Sequence, residues 1–220
     1  MIDLIQLGWD FFFHIDAYLN EWATLLGPWL YVVMVLIIFC ETGLVVTPIL
    51  PGDSLLFAVG ALSTREGSPI ELPLMALLLC AAAVAGDAVN YSIGYWLGPK
   101  VFSRETSRLL NKKHLLRAQR FYEKHGGKTI FLARFIPIIR TFAPFVAGIG
   151  AMRYLRFAIF NVTGAVSWVL ALLLGGYLFA DLPVVKTQFH WVIMVIILIS
   201  VTPILIEYVR TRRESKSGAT

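Results

Sequence analysis

Four charged residues sit in stretches that are otherwise apolar and broken by proline: Glu41, Asp53, Arg134 and Arg140. Glu41 and Asp53 lie in FCETGLVVTPILPGDSLLF (39–57), and Arg134 and Arg140 lie in LARFIPIIRTFAPFVAG (132–148). An ionisable side chain at membrane depth costs about 2.5–3.5 kcal/mol on insertion scales, so it faces a protein interior or an aqueous cavity. Two acids in one broken segment and two arginines in the other match in number and sign. If the segments meet, the charges neutralise one another, and the bland reading is a structural ion-pair set. The functional reading is that the arginines bind an anionic group while the acids carry protons. The two are compatible, because an anion can compete for the same guanidinium, and arginine binds carboxylate or phosphate with two parallel hydrogen bonds. Arg134 and Arg140 are about 240° apart on an unbroken helix, whereas a break at Pro137 lets both converge. Asp53 also reads as a cap for an arm starting at Ser54. A carboxyl in such a site is pulled toward the neutral form by desolvation and toward the charged form by arginine, a balance that suits a proton carrier.

A second set is Asp87, Asn90 and Tyr91, which share one helix face and either line the same cavity or cap the end of a span. Other motifs fail. Gly126-Gly127-Lys128-Thr129 lacks the first glycine of a phosphate loop, which Tyr122 replaces. The four histidines show no ligand spacing, so no metal and no cofactor is expected. No nucleophile elbow is present. An intramembrane hydrolase using Glu41 and Asp53 as acid and base therefore lacks a nucleophile or metal set, and the chain does not read as an enzyme. Trp168 and Asn161 read as packing residues.

The elements that must position these charges are membrane elements. Of 220 residues 58% are apolar and 15% charged, with a mean hydropathy of +0.73. Soluble domains have about 45–50% apolar and about 25% charged residues. The reading is an all-α polytopic membrane protein forming a single membrane domain, 1–220. Residues 1–27 read as an amphipathic N-terminal helix along an interface, with a short first span as the alternative, and they lack the basic n-region of a signal peptide. Residues 28–62 read as a first re-entrant hairpin, 72–97 as a span, 99–128 as a basic amphipathic segment and 129–150 as a second re-entrant hairpin. Spans at 157–180 and 190–209 precede a basic tail, 210–220. Residues 1–64 hold no Lys or Arg, whereas 99–128 holds nine. Such clusters mark cytoplasmic loops more simply than nucleic-acid binding. With 99–128 cytoplasmic, Arg153, Arg156 and the tail are also cytoplasmic only if 129–150 enters and returns. Irregular backbone at that depth needs protein or a water-filled cavity around it. The expected plan is an inverted repeat with two opposed re-entrant hairpins, as in many secondary transporters. Cys40 and Cys80 read as buried hydrophobes rather than a disulfide, and Gly94 and Gly98 as a weak close-packing signal.

The segments 39–57, GDAVNY (86–91), FYEKHGGKTI (121–130) and 132–148 closely resemble the DedA family of bacterial inner-membrane proteins. The resemblance covers most of the chain. It implies two opposed re-entrant hairpins, transport that depends on the proton motive force, and a place in envelope maintenance. Some members are implicated in returning undecaprenyl phosphate across the membrane, and distant relatives act as phospholipid scramblases. The family's functional acids and arginines carry over onto Glu41, Asp53, Arg134 and Arg140. The expectation is a proton-coupled transporter or flippase of a lipid phosphate in the bacterial inner membrane. Arg134 and Arg140 would bind the phosphate, and Glu41 and Asp53 would couple protons. Alternatives are a passive phospholipid scramblase and a structural membrane factor. The expected partners are membrane lipids, the lipid phosphate and protons, with a homo-oligomer also allowed.

Overall fold

A computed structural model of the chain describes residues 25–44, 52–65, 67–102, 127–150, 152–180 and 182. Among these residues the regular structure is entirely helical: α1 Trp29–Gly43, α2 Gly52–Leu62, α3 Leu72–Phe102, α4 Lys128–Ala133, α5 Pro137–Ile149 and α6 Tyr154–Phe179. Most of the amphipathic segment at 1–27, residues 45–51 of the first hairpin, most of the basic segment at 99–128, the span at 190–209 and the tail lie outside the described residues.

Two stretches, Leu72–Leu97 in α3 and Tyr154–Phe179 in α6, are apolar over 26 residues each. At 1.5 Å per residue each is about 39 Å long, which exceeds a hydrocarbon layer of about 30 Å. They overlap the stretches that hydropathy marks as spans, 72–97 and 157–180. The other helices are shorter. α1 has 15 residues, α2 has 11, α4 has 6 and α5 has 13, so even α1 reaches only about 22 Å. The polarity of the molecule is reversed from that of a soluble protein. Leu77, Trp96, Leu132 and Leu155 are at least 63% exposed, while Glu41, Asp87, Arg134 and Arg140 are at most 5% exposed. Apolar side chains outside and charges inside fit hydrocarbon as the solvent.

The chain divides into two compact units. One comprises Met1–Met34, Pro51–Ala76 and Leu170–Thr220. Its described core is built from Leu56, Phe57, Val59, Met75 and Leu173. Here α2 crosses the end of α6 backbone to backbone: a Cβ on Gly60 would strike the Leu173 carbonyl and the Tyr177 nitrogen, and one on Gly176 would strike the Phe57 carbonyl and the Ala61 nitrogen. Between α2 and α3, the Tyr31 hydroxyl donates to the Pro69 carbonyl (3.2 Å) and accepts from the Glu71 nitrogen (2.6 Å).

The other unit comprises Val35–Leu50 and Leu77–Val169. Its core includes Tyr91, Ile130, Ala133, Ala143, Ala147 and Phe157. Here α5 crosses α3 with the same register of contacts. A Cβ on Gly148 would strike the Tyr91 carbonyl and the Tyr95 nitrogen, and one on Gly94 would strike the Phe145 carbonyl. Gly94 and Gly176 stand equally far into their 26-residue apolar stretches, and Phe57 and Phe145 each precede the partner glycine by three residues. Only glycine permits such an approach, which stabilises helix pairs in lipid through dispersion contacts. The sequence signal for close packing at Gly94 thus has its partner in Gly148 of α5.

Candidate functional site

The residues that build the site lie in the second unit, on α1, α3, α4, α5 and α6. A glycine contact sets the distance between α1 and α3. A Cβ on Gly86 would strike Thr42 Oγ1 and the Phe39 carbonyl, so the last turn of α1, with Glu41, packs beside the turn of α3 that carries Asp87. Between α4 and α5 the helix breaks where proline requires it. Ile136 is extended (φ −116°, ψ 107°) and Pro137 opens α5. The residue before proline is driven out of the helical region, and proline itself is well suited to the first helical position. Arg134 closes α4 as its C-cap, and Arg140 stands in the first turn of α5. The break thus places two arginines six residues apart in the sequence on separate helices.

Both arginines are ion-paired in the interior. Arg140 Nη2 donates to Glu41 Oε1 at 2.7 Å, with side chains 5% and 3% exposed. Arg134 Nη1 donates to Asp87 Oδ2, and these side chains are equally buried. The carboxylate partner of Arg134 is therefore Asp87 of the span. Asp53 belongs to the other unit, where it occupies the first turn of α2, half-buried, in a position suited to the helix dipole. Within the second unit the structure brings together Glu41, Arg134, Arg140, Asp87 and Asn90.

Trp168 of α6 joins them, a residue that the sequence offered only as packing. The guanidinium carbons of Arg140 and Arg134 lie 4.4 and 4.9 Å from its ring centroid. A tryptophan face attracts a cation by about 0.5–1 kcal/mol at exposed sites and about 2 or more when desolvated. The ring thus lets two like charges share one neighbourhood. A tryptophan seven residues after Asn161 in an apolar helix carries no local sign of that role; only its position beside Arg134 and Arg140 does.

Asn90 ties three helices together. Its Nδ2 donates to the Thr42 carbonyl of α1 at 3.0 Å and to the Thr141 carbonyl of α5 at 2.8 Å. Tyr91, the third member of that helix-face set, faces the aromatic core. Its ring stacks on Phe157 at 4.5 Å and its hydroxyl donates to the Met152 carbonyl. Asn161 braces α6 on α3 by donating to the Val84 carbonyl at 3.1 Å.

The charges oppose the helix dipoles. Glu41 stands in the last turn of α1, where the dipole disfavours an anion, and Arg140 in the first turn of α5, where it disfavours a cation; each misplacement is worth roughly 0.3–1 kcal/mol. The first turn of α5 favours an anion instead. Arg140 beside it adds a charge and a fork of donors, so the arrangement can exchange a carboxylate for another anion. Among the described residues no group of His, Cys, Asp and Glu could hold a metal ion.

A VTT domain model matches residues 50–178. The chain is 49% identical over 218 residues to Protein DedA of Escherichia coli (strain K12), covering 99% of this chain and 100% of that protein. It is 39% identical over 185 residues to an uncharacterized membrane protein of Mycobacterium tuberculosis (84% of this chain, 81% of the relative). It is 36% identical over 169 residues to the inner membrane protein YqjA of Escherichia coli (strain K12), covering 75% and 76%. No solved structure matches the chain.

Proposed function

The chain belongs to the DedA family of membrane proteins with a VTT domain, and from that premise we propose that it is a proton-coupled transporter or flippase that moves a lipid phosphate, such as undecaprenyl phosphate, across the bacterial inner membrane. The observation that carries this reading is the pair of buried guanidiniums at one tryptophan ring, beside the anion-favouring start of α5. Each guanidinium is held by a carboxylate that a phosphate can displace. A phosphate headgroup suits two arginines, while its hydrocarbon tail stays in lipid. Glu41 and Asp53 are the proton-linked acids in this reading. Glu41 becomes available for a proton when phosphate takes Arg140 from it. The short paired helices, α1 with α2 and α4 with α5, act as two re-entrant hairpins, and the matching glycine crossings support an internal repeat of arm and span.

The test is transbilayer movement of undecaprenyl phosphate in proteoliposomes, with and without a pH gradient, for wild type and Arg140→Ala. Movement that needs both the gradient and Arg140 is the expected result. Gradient-independent movement of many lipids would replace coupled transport by scrambling. No movement by folded protein would end the lipid-phosphate reading.

A further inference from the structure

Around the Arg134–Asp87 pair lie buried atoms of both hydrogen-bonding polarities that no hydrogen bond completes. Arg134 Nε and Nη2 are donors without an acceptor, and Asp87 Oδ1 and Asn90 Oδ1 are acceptors without a donor. Arg134, Asp87 and Asn90 are 3%, 1% and 0% exposed. Turning the Asn90 amide over cannot supply the missing donor, because its nitrogen already serves two carbonyls, those of Thr42 and Thr141. An oxygen in its place would face both of them with no proton. Asp87 and Asn90 are one turn apart on the same face of α3, with Cβ atoms about 5–6 Å apart. Arg134 touches Asp87, so all four atoms belong to one neighbourhood. More than about 90% of buried polar groups in proteins are paired, and an unpaired one in a low-dielectric interior carries its full desolvation cost. A cluster that lacks both donors and acceptors is completed by a molecule that supplies both, which a buried water does in the resting site and a substrate must do when it displaces that water.

That requirement selects among phosphates. A fully ionised phosphate monoester offers only acceptors: it would serve Arg134 but set its oxygens against Asp87 Oδ1 and Asn90 Oδ1. A phosphodiester likewise has no proton to give. A monoester carrying one proton has bare oxygens for Arg134 and a P–OH group for the carboxylate or amide oxygen. We propose that the site binds a phosphate monoester in its singly protonated, monoanionic form, with Arg134 reading the bare oxygens and Asp87 Oδ1 accepting the single P–OH proton. This rests on the lipid-phosphate reading above and deepens it: the proton enters the site on the substrate's own phosphate. The charged groups around that proton are Asp87 of α3, Arg134 of α4, Arg140 of α5 and Glu41 of α1. The second ionisation of a phosphate monoester falls near pH ~6, so roughly a tenth of the ligand is in the binding form at pH 7.

The test compares two probes of equal charge at low pH, dodecyl phosphate and dodecyl methyl phosphate, which differ only in P–OH against P–OCH3. Their affinities for the detergent-solubilised full chain are measured by titration at pH 5 and between pH 7 and 8.5. The monoester should bind at least about tenfold more tightly at pH 5, the worth of one charge-assisted hydrogen bond. Its affinity should then fall by roughly tenfold per pH unit above pH 7 as the monoanion disappears, while the diester's stays flat. Asp87→Asn adds a donor where the carboxylate only accepts, and should bring the two probes within about threefold. Equal binding of the probes overturns the proposal and leaves phosphate binding standing. A folded Asp87→Asn protein that keeps the full preference removes Asp87 from the recognition and overturns it too. Binding of neither probe sinks the lipid-phosphate reading and this inference with it.

Discussion

Reversing the Glu41–Arg140 pair separates holding the fold from handling a substrate. The two charges are 2.7 Å apart with side chains 3% and 5% exposed. At an effective dielectric of about 20 their attraction is roughly 6 kcal/mol, and it is set against several kcal/mol of desolvation for each ion. The net worth of the pair is therefore small, but removing one partner strands a buried charge. Glu41→Gln or Arg140→Gln alone should cost about 3–5 kcal/mol. For a chain of this size that lowers the melting temperature by roughly 6–20 °C. The double reversal, Glu41→Arg with Arg140→Glu, restores an ion pair and also places each charge where its helix dipole favours it. It should recover most of the lost stability. Transport should remain abolished, because the guanidinium has moved from the start of α5 to the end of α1. Thermal unfolding in detergent gives the first quantity and proteoliposome transport the second. If the reversed protein is no more stable than the Glu41→Gln or Arg140→Gln protein, the two residues are not energetically paired. If the reversed protein transports like wild type, the charges serve only the fold and the phosphate assignment fails.

Perturbations at four further positions probe the surroundings of the pair. Gly94→Val drives a side chain into the Phe145 backbone and should cost about 1–3 kcal/mol or more, seen as a loss of monodisperse protein. Gly164→Ala, whose nearest neighbour would be 3.5 Å away, should be tolerated. Asn90→Leu removes two hydrogen bonds and leaves the Thr42 and Thr141 carbonyls unsatisfied at that side chain, so about 2 kcal/mol of stability should be lost in the same unfolding assay. Trp168→Leu should depress transport by a large factor, with Trp168→Phe retaining part of it, since phenylalanine keeps an aromatic face for the arginines. Equal activity of the Leu and Phe proteins would show that the ring's π-face has no part in the site.

Much was legible in the chain itself because it depends on local chemistry. Hydropathy alone marks 72–97 and 157–180 as spans, because about 20 apolar residues in a row are what a helix needs to cross the hydrocarbon layer. Pro137 reveals a break between Arg134 and Arg140, since its ring restricts Ile136 and withholds a backbone donor. The cost of burying charge marks Glu41, Asp53, Arg134 and Arg140 as residues that need partners. The choice among partners was not legible. That Asp87 of the span meets Arg134 follows from the packing of Gly43 and Thr42 against Gly86, which sets Asp87 beside the helix ends that carry the arginines. Trp168 was equally silent, because a tryptophan in a span is apolar by type and becomes a cation's neighbour only when α6 lies against α4 and α5. Residue type and spacing determined what had to be buried, broken or spanned. Which carboxylate meets which guanidinium, and over which ring, was decided by helix approaches that residues distant in the chain make only after folding.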